Sequence, residues 1–72
     1  MSKKLLRVNF DQLDMCIKNQ VWLSIILEDG SVYFVKPVKH IANILKVQNK
    51  MGRKMNVLLT QIDEIWADVK VS

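Results

Sequence analysis

Residues 21–35 read VWLSIILEDGSVYFV, and the fold class of the chain rests on this stretch. Apolar residues alternate with other residues on both sides of the Asp29-Gly30 pair, which is the spacing of a half-buried β-strand. An Asp-Gly pair between two such runs predicts a hairpin with a two-residue type I′ turn, because both central positions of that turn need a positive φ. The stretch therefore predicts two antiparallel strands, the second running from residue 31 to about residue 39.

A two-residue turn also fixes the register of this hairpin. It pairs Leu27 with Val32 and Ile25 with Phe34, so that these four side chains share one face of the sheet. The core predicted on that face consists of Val21, Leu23, Ile25, Leu27, Val32 and Phe34.

The opposite face of the hairpin would carry a second apolar set. Together with an aromatic residue from the last strand, this set is the candidate protein interface: Trp22, Ile26, Tyr33, Val35 and Trp66. Three explanations for it stay open. The N-terminal helix covers it, the sheet curls until both faces are partly buried, or a partner binds there.

The segment before the hairpin has the signals of a short helix over residues 9–19. Asn9 is a favoured N-cap, and Gln12 stands three residues later, at the capping-box position. Val8 and Leu13 occupy the positions of a hydrophobic staple. A helix that begins at Asn9 is therefore expected.

One apolar stripe is predicted along this helix. Phe10, Leu13 and Ile17 recur at the spacing of a single helical face. Cys16 is the chain's single cysteine and is expected to be a small apolar residue of the helix. Residues 1–8 are predicted to be an N-terminal tail.

The chain after the hairpin predicts three further strands. Pro37 lacks a backbone N–H and therefore predicts a bend or an edge position in the second strand. A third strand is expected over residues 44–48 and a fourth over residues 53–60, with a glycine-containing loop between them. A tight turn over residues 61–64 then leads to a final strand over residues 65–69. These elements predict one mostly-β domain over residues 1–72. Residues 20–71 are expected to form a small five-stranded antiparallel barrel, because closing the sheet into a barrel removes its exposed strand edges.

The inventory of reactive residues argues against an enzyme. The chain has one histidine, one cysteine and two glycines, and the glycines stand in different hairpins. This leaves no catalytic triad, no cysteine–histidine metal set and no glycine-rich phosphate loop. We therefore expect no catalytic or metal-binding residues, no cofactor and no small-molecule substrate.

The location of the protein is predicted from two features. A single cysteine fits a reducing compartment. The apolar run near the N-terminus ends at Arg7, so that neither a signal peptide nor a membrane span is expected. These features predict a cytoplasmic protein that does not enter the membrane.

The whole chain carries a net charge of +4, and basic residues cluster in its second half. The candidate nucleic-acid-binding residues are Lys36, Lys39 and His40 along the bent strand and Lys46, Lys50, Arg53 and Lys54 around the Gly52 hairpin. Such a patch could neutralise several phosphates. Solvated hairpin tips and lysines that protect strand edges are the alternative. The aromatic residues Trp22, Tyr33 and Trp66 do not obviously interleave with the lysines, which argues against a single-strand-binding surface.

Two segments carry a family resemblance. Residues 21–30 (VWLSIILEDG) and residues 57–65 (VLLTQIDEI), with a bent strand and the Gly52 turn between them, resemble the YolD-like family of the Sm-like group of small barrels. The likeness covers roughly residues 20–69. It implies an N-terminal helix followed by a five-stranded Sm-like or SH3-like barrel.

The resemblance also implies partners. In the wider Sm-like group it implies rings formed by pairing of the fourth and fifth barrel strands, and RNA binding. In the YolD-like family it implies an association with translesion polymerases and the DNA-damage response, often on mobile elements. The bacterial host-factor branch has a Lys-His pair before the closing strand, where this chain has residues 59–61 (LTQ), so that branch's RNA pocket is not carried over.

The leading functional hypothesis is a non-enzymatic Sm-like or YolD-like binding module, a small accessory or regulatory protein that acts through protein–protein contacts. A nucleic-acid-binding module that uses the basic hairpin is the alternative. Self-association through an edge strand is expected, because a core of this size is marginal and a second apolar face is left over.

Overall fold

A computed structural model describes residues 2–71 of the chain, with side chains for residues 5–67. It contains six strands: β1 (Ser2–Arg7), β2 (Leu23–Leu27), β3 (Val32–Ile41), β4 (Ile44–Gln48), β5 (Lys54–Leu58) and β6 (Ile62–Val71). A 3-10 turn (Phe10–Gln12) leads into α1 (Leu13–Lys18), and a second one (Leu59–Gln61) joins β5 to β6. The strands form one open antiparallel sheet in the order β1-β6-β2-β3-β4-β5. The predicted mostly-β class with one short N-terminal helix is confirmed.

Strand β1 is absent from the sequence prediction, which made residues 1–8 a tail. It pairs with β6 in an unbroken register from Ser2–Val71 to Arg7–Trp66. Its sequence, SKKLLR, lacks the alternation by which a strand is recognised. Strand β1 pairs with the edge of β6 over residues 66–71. In a ring of Sm-like barrels, the last barrel strand would use this edge to pair with a neighbouring copy, so β1 occupies part of it.

The hairpin between β2 and β3 has a three-residue loop, where the sequence predicted two residues. The N–H of Leu27 donates to the carbonyl of Ser31 at 2.8 Å, and the N–H of Gly30 donates to the carbonyl of Leu27 at 2.9 Å. Gly30 has a φ of +91°, while no other loop residue has a positive φ. This is a turn followed by one left-handed residue, the common form of a three-residue hairpin loop.

The extra loop residue shifts the register by one, and the predicted core is wrong at β3 as a result. Val35 pairs with Leu23, and Tyr33 pairs with Ile25. Val35, which was assigned to the candidate interface, is 1% exposed, whereas Val32 is 60% exposed. Phe34, assigned to the core, lies on the opposite face with Val32.

The core lies on one face of the sheet, and we call this the inner face. It is made of Val8, Leu13, Cys16, Leu23, Ile25, Val35, Leu45, Val47, Val57, Leu59, Ile62, Ile65 and Ala67. Helix α1 packs against β3 and contributes Leu13 and Cys16 to this core. The explanation in which the helix covers the second apolar face is therefore wrong, because the helix covers the inner face.

The start of the helix follows the sequence signals in part. The N–H of Asn9 donates to Oε1 of Gln12 at 2.8 Å, which confirms the capping box. Phe10, however, is exposed, so the predicted stripe is wrong there. Residues 10–12 form a 3-10 turn before the α-helix, so Phe10 lies outside α1, to which Leu13 and Ile17 belong.

Strand β3 bends where Pro37 predicted it. Its register with β4 shifts between Pro37 and Lys39. Residues 32–35 pair with β2, and residues 36–41 pair with β4, so β3 carries the sheet around the bend.

Candidate functional site

The side of the sheet that faces away from α1 is called the outer face. Residues directly opposite each other in an antiparallel pair share a face, so the register assigns its members. They include Arg7, Ser24, Ile26, Val32, Phe34, Lys36, Lys39, Ile41, Ile44, Lys46, Gln48, Lys54, Asn56, Leu58, Glu64 and Trp66. Trp22 joins them because its ring stacks on that of Phe34.

Four lysines occupy two neighbouring rows of this face. One row runs across β3, β4 and β5 as Lys36, Gln48 and Lys54. The next row is Lys39, Lys46 and Asn56. The sequence named all four lysines as nucleic-acid-binding candidates, and the register places them on one surface.

Lys39 and Lys46 stand directly opposite each other on β3 and β4, and both are exposed. Like charges in this position oppose the pairing of the strands. Among the side chains of residues 5–67, no carboxylate forms an ion pair with either of them. The two ammonium groups therefore form a positive site that an external anion would relieve.

The loop between β4 and β5 adds two more cations. Asn49 Oδ1 accepts hydrogen bonds from the N–H groups of Met51 and Arg53, both at 2.9 Å. The N–H of Gly52 donates to the carbonyl of Asn49 at 3.0 Å, and Gly52 has a φ of +85°. These bonds hold the loop backbone in one shape, from which Lys50 and Arg53 project.

Two aromatic rings stand beside the lysine rows. The ring centroids of Trp22 and Phe34 are 5.5 Å apart with an interplanar angle of 17°, so the rings are stacked. Lys36 Nζ lies 5.7 Å from the centroid of the Trp22 ring, and Lys50 Nζ lies 4.9 Å from that of Phe34. Aromatic and basic side chains are therefore interleaved here, contrary to the expectation from the sequence.

Trp66 extends the aromatic surface onto β6. It lies in a cross-strand row with Arg7, Ser24 and Phe34. Its indole Nε1–H donates to Oε1 of Glu64 at 2.8 Å, so the polar edge of this half-buried ring already has a partner.

His40 does not join this surface, although the sequence grouped it with the lysines. It pairs with Leu45 and so lies on the inner face. Its Nδ1 is 3.7 Å from Oδ1 of Asp14, and its Nε2 is 3.1 Å from the carbonyl oxygen of Ala42. A carbonyl only accepts, so Nε2 is the donor in that contact, and the ring lies between α1 and the end of β3.

The candidate protein interface divides between the two faces. Trp22 and Ile26 lie on the outer face as predicted, and Trp66 joins them there, while Tyr33 and Val35 belong to the inner face. Phe34 is the residue that sequence reasoning missed. The signal that could have found it is Glu28-Asp29-Gly30, since a glycine as the third loop residue fits a three-residue hairpin loop as well as a two-residue one.

Comparisons with models of known protein families and with characterised proteins give no match. Among the described residues, no helix is long and apolar enough to cross a membrane. Within the same part of the chain, no group of three histidine, cysteine, aspartate or glutamate side chains could hold a metal ion.

Proposed function

We propose that the protein is a non-enzymatic binding module, a small barrel of the Sm-like or SH3-like type, whose outer face binds nucleic acid. Strands β2 to β6 correspond to the five strands of such a barrel. They lie in the order β6-β2-β3-β4-β5, with a 3-10 turn before the last strand. The bend in β3 supports curling of this sheet.

The opposed pair of Lys39 and Lys46 carries the functional proposal. Two like charges facing each other without a carboxylate partner among residues 5–67 cost stability, which a bound phosphate would offset. Lys36 and Lys54 lie in the adjacent row, about 6.6 Å away along β4 and β5, since the two rows are two residues apart there. Neighbouring phosphates of one nucleic-acid strand could therefore contact both rows.

The test is the salt dependence of binding to labelled 20-nucleotide DNA, measured by fluorescence anisotropy. Each phosphate contact adds about 0.7 to the slope of log K against log salt for single strands and about 0.9 for duplexes. Replacing Lys46 and Lys54 by alanine together is expected to reduce the slope by about 1.4 or 1.8, respectively, and to weaken binding. Lys18→Ala is the matched control, because it removes the same charge from an exposed position on α1.

The proposal fails if the wild-type protein does not bind either form of DNA at low salt. It also fails if Lys18→Ala reduces the salt slope as much, per charge removed, as the two outer-face substitutions do. That result would assign binding to net charge alone.

Self-association is a second candidate, and it rests on an apolar row that ends at an open edge of the sheet. Ile41, Ile44 and Leu58 face each other across β3, β4 and β5, and all three are exposed. Strand β5 has no neighbour beyond it in the described sheet, so a second copy could extend both the backbone pairing and the apolar row.

Light scattering across a concentration series tests this candidate. Leu58→Asp, on the edge strand, is expected to shift the protein towards the monomer. Met51→Asp is the control, because Met51 is the most exposed apolar side chain described and lies in the hairpin loop between β4 and β5, outside both strands. A wild-type monomer at high concentration, or equal effects of the two substitutions, would contradict self-association through β5.

A further inference from the structure

We propose that the nucleic acid bound by the outer face is single-stranded, and that its bases stack on the aromatic pair formed by Trp22 and Phe34. This inference rests on the proposed function and specifies its ligand. It depends on a different set of side chains from the lysine rows, so the two can fail separately.

The aromatic pair lies next to the lysine rows on one surface. Phe34 and Lys36 are two residues apart on β3 and point to the same side. The near-parallel rings of Trp22 and Phe34 form a single stack on this side of the sheet. A strand whose phosphates follow Lys36 and Lys54 would therefore have its bases within reach of the rings.

Lys50 shows how a base could enter this stack. Its ammonium group lies 4.9 Å from the centroid of the Phe34 ring, in the region that a stacked base would take. Stacking of a base on an aromatic ring is stronger than a cation–π contact at an exposed site. A base can therefore replace the ammonium group, which is on a long side chain and is free to move to a phosphate of the same strand.

Replacement of the Lys50 ammonium group by a base requires a strand that is not base-paired. In a duplex, each base is stacked between its neighbours and paired with the other strand, so its faces are not available without an unstacking cost. The phosphates of a duplex remain available to the lysines. The aromatic pair should therefore strengthen the binding of single strands but not of duplexes, while the lysine rows bind both.

The experiment compares the affinity of the protein for a 20-nucleotide oligothymidylate and for a 20-base-pair duplex at one salt concentration. Phe34→Leu keeps an apolar side chain but removes the ring. It is expected to weaken single-strand binding by about 5- to 150-fold and duplex binding by less than about 2-fold. Tyr33→Leu is the matched control, because Tyr33 and Phe34 are both 37% exposed but lie on opposite faces of β3.

Fluorescence supplies a second measurement. The chain has two tryptophans, so Trp66→Phe leaves Trp22 as the only one. Stacking of a thymine on the Phe34 ring of the aromatic pair is expected to change the emission of Trp22 on titration with oligothymidylate and not with the duplex. Circular dichroism of each variant checks that the sheet is intact.

The outcomes separate the two proposals. Equal affinity for single strand and duplex, with no effect of Phe34→Leu, overturns the single-strand inference. In that case the proposed function still stands if the double substitution of Lys46 and Lys54 by alanine lowers the salt slope. Absence of binding to every nucleic acid overturns both. Polyglutamate bound as tightly as oligothymidylate, and equally sensitive to Phe34→Leu, would replace the nucleic acid by an acidic protein segment. Parallel titrations with oligouridylate show whether the strand is DNA or RNA.

Discussion

The register of the β2–β3 hairpin decides which residues of β3 can bind a ligand, and two valine-to-alanine substitutions test it. Val35 is 1% exposed and Val32 is 60% exposed, although both belong to β3. A two-residue turn would have buried Val32 and exposed Val35. The observed loop does the reverse and places Phe34 on the outer face.

The expected difference in unfolding free energy follows from burial. Val→Ala removes two carbon atoms, worth about 0.8 kcal/mol each when fully buried, and the cavity that remains adds to this. We therefore expect Val35→Ala to destabilise the protein by about 2 kcal/mol. Val32→Ala should cost about 0.5 kcal/mol, as is usual for exposed positions. The lower strand propensity of alanine applies to both variants and largely cancels in the comparison.

Urea unfolding followed by tryptophan fluorescence measures this difference. With a slope of about 1 kcal/mol per molar urea for a domain of this size, the midpoints of the two variants should differ by about 1.5 M. An equal loss in both variants, or a larger loss in Val32→Ala, would refute the three-residue loop. Phe34 would then return to the core, and the stacking surface on the outer face would not exist.

Three further predictions concern the loop and the helix. Gly30→Ala should cost about 1 kcal/mol, measured as a lower urea midpoint, because a φ of +91° strains alanine although its Cβ meets no atom within 4 Å; an unchanged midpoint would contradict the loop conformation. Hydrogen bonds from the backbone and side chain of Ser31 hold the pKa of Asp29 below its ordinary value. The ionised carboxylate therefore stabilises the fold at a pH above its unfolded-state pKa. This stabilisation is lost as the pH falls through the lower, folded-state pKa. Asp29→Ala should therefore reduce stability at pH 7, and the gap to the wild type should close in strongly acid solution; a gap that is constant with pH would show that the charge is not involved. Burial raises the pKa of the Cys16 thiol, so iodoacetamide at pH 8 should alkylate the native protein more slowly than the urea-unfolded chain, and equal rates would mean that Cys16 is accessible.

The sequence predicted a cluster of lysines, but it could not show which basic residues of the cluster share one face of the sheet. Lys36, Lys39, Lys46 and Lys54 were named from their clustering along the chain, and the strand register places all four on the outer face. His40 belongs to the same cluster in sequence but lies on the inner face. The difference arises at the bend after Pro37, where a shifted register changes which side chains point outward, and local composition does not reveal such a shift.

The aromatic part of the surface depends on contacts between distant parts of the chain. Lys50 approaches Phe34 from the hairpin loop between β4 and β5, sixteen positions along the chain. The stack of Trp22 on Phe34 requires the observed pairing of β2 with β3. Spacing in the sequence could not show this interleaving, because it results from strand pairing and not from neighbouring positions.

The sequence by itself determined the secondary structure around the hairpin, the capping box at Asn9 and the bend at Pro37, because alternation, capping and the missing proline N–H act over a few residues. Only the tertiary structure decided that residues 2–7 form an edge strand on β6, that the helix covers the inner face, and that Val35 is buried while Phe34 is exposed. These features depend on which strands pair and in which register. In a sheet, a shift of one residue exchanges the two faces, and the free energy that selects the register comes from the packing of the whole core.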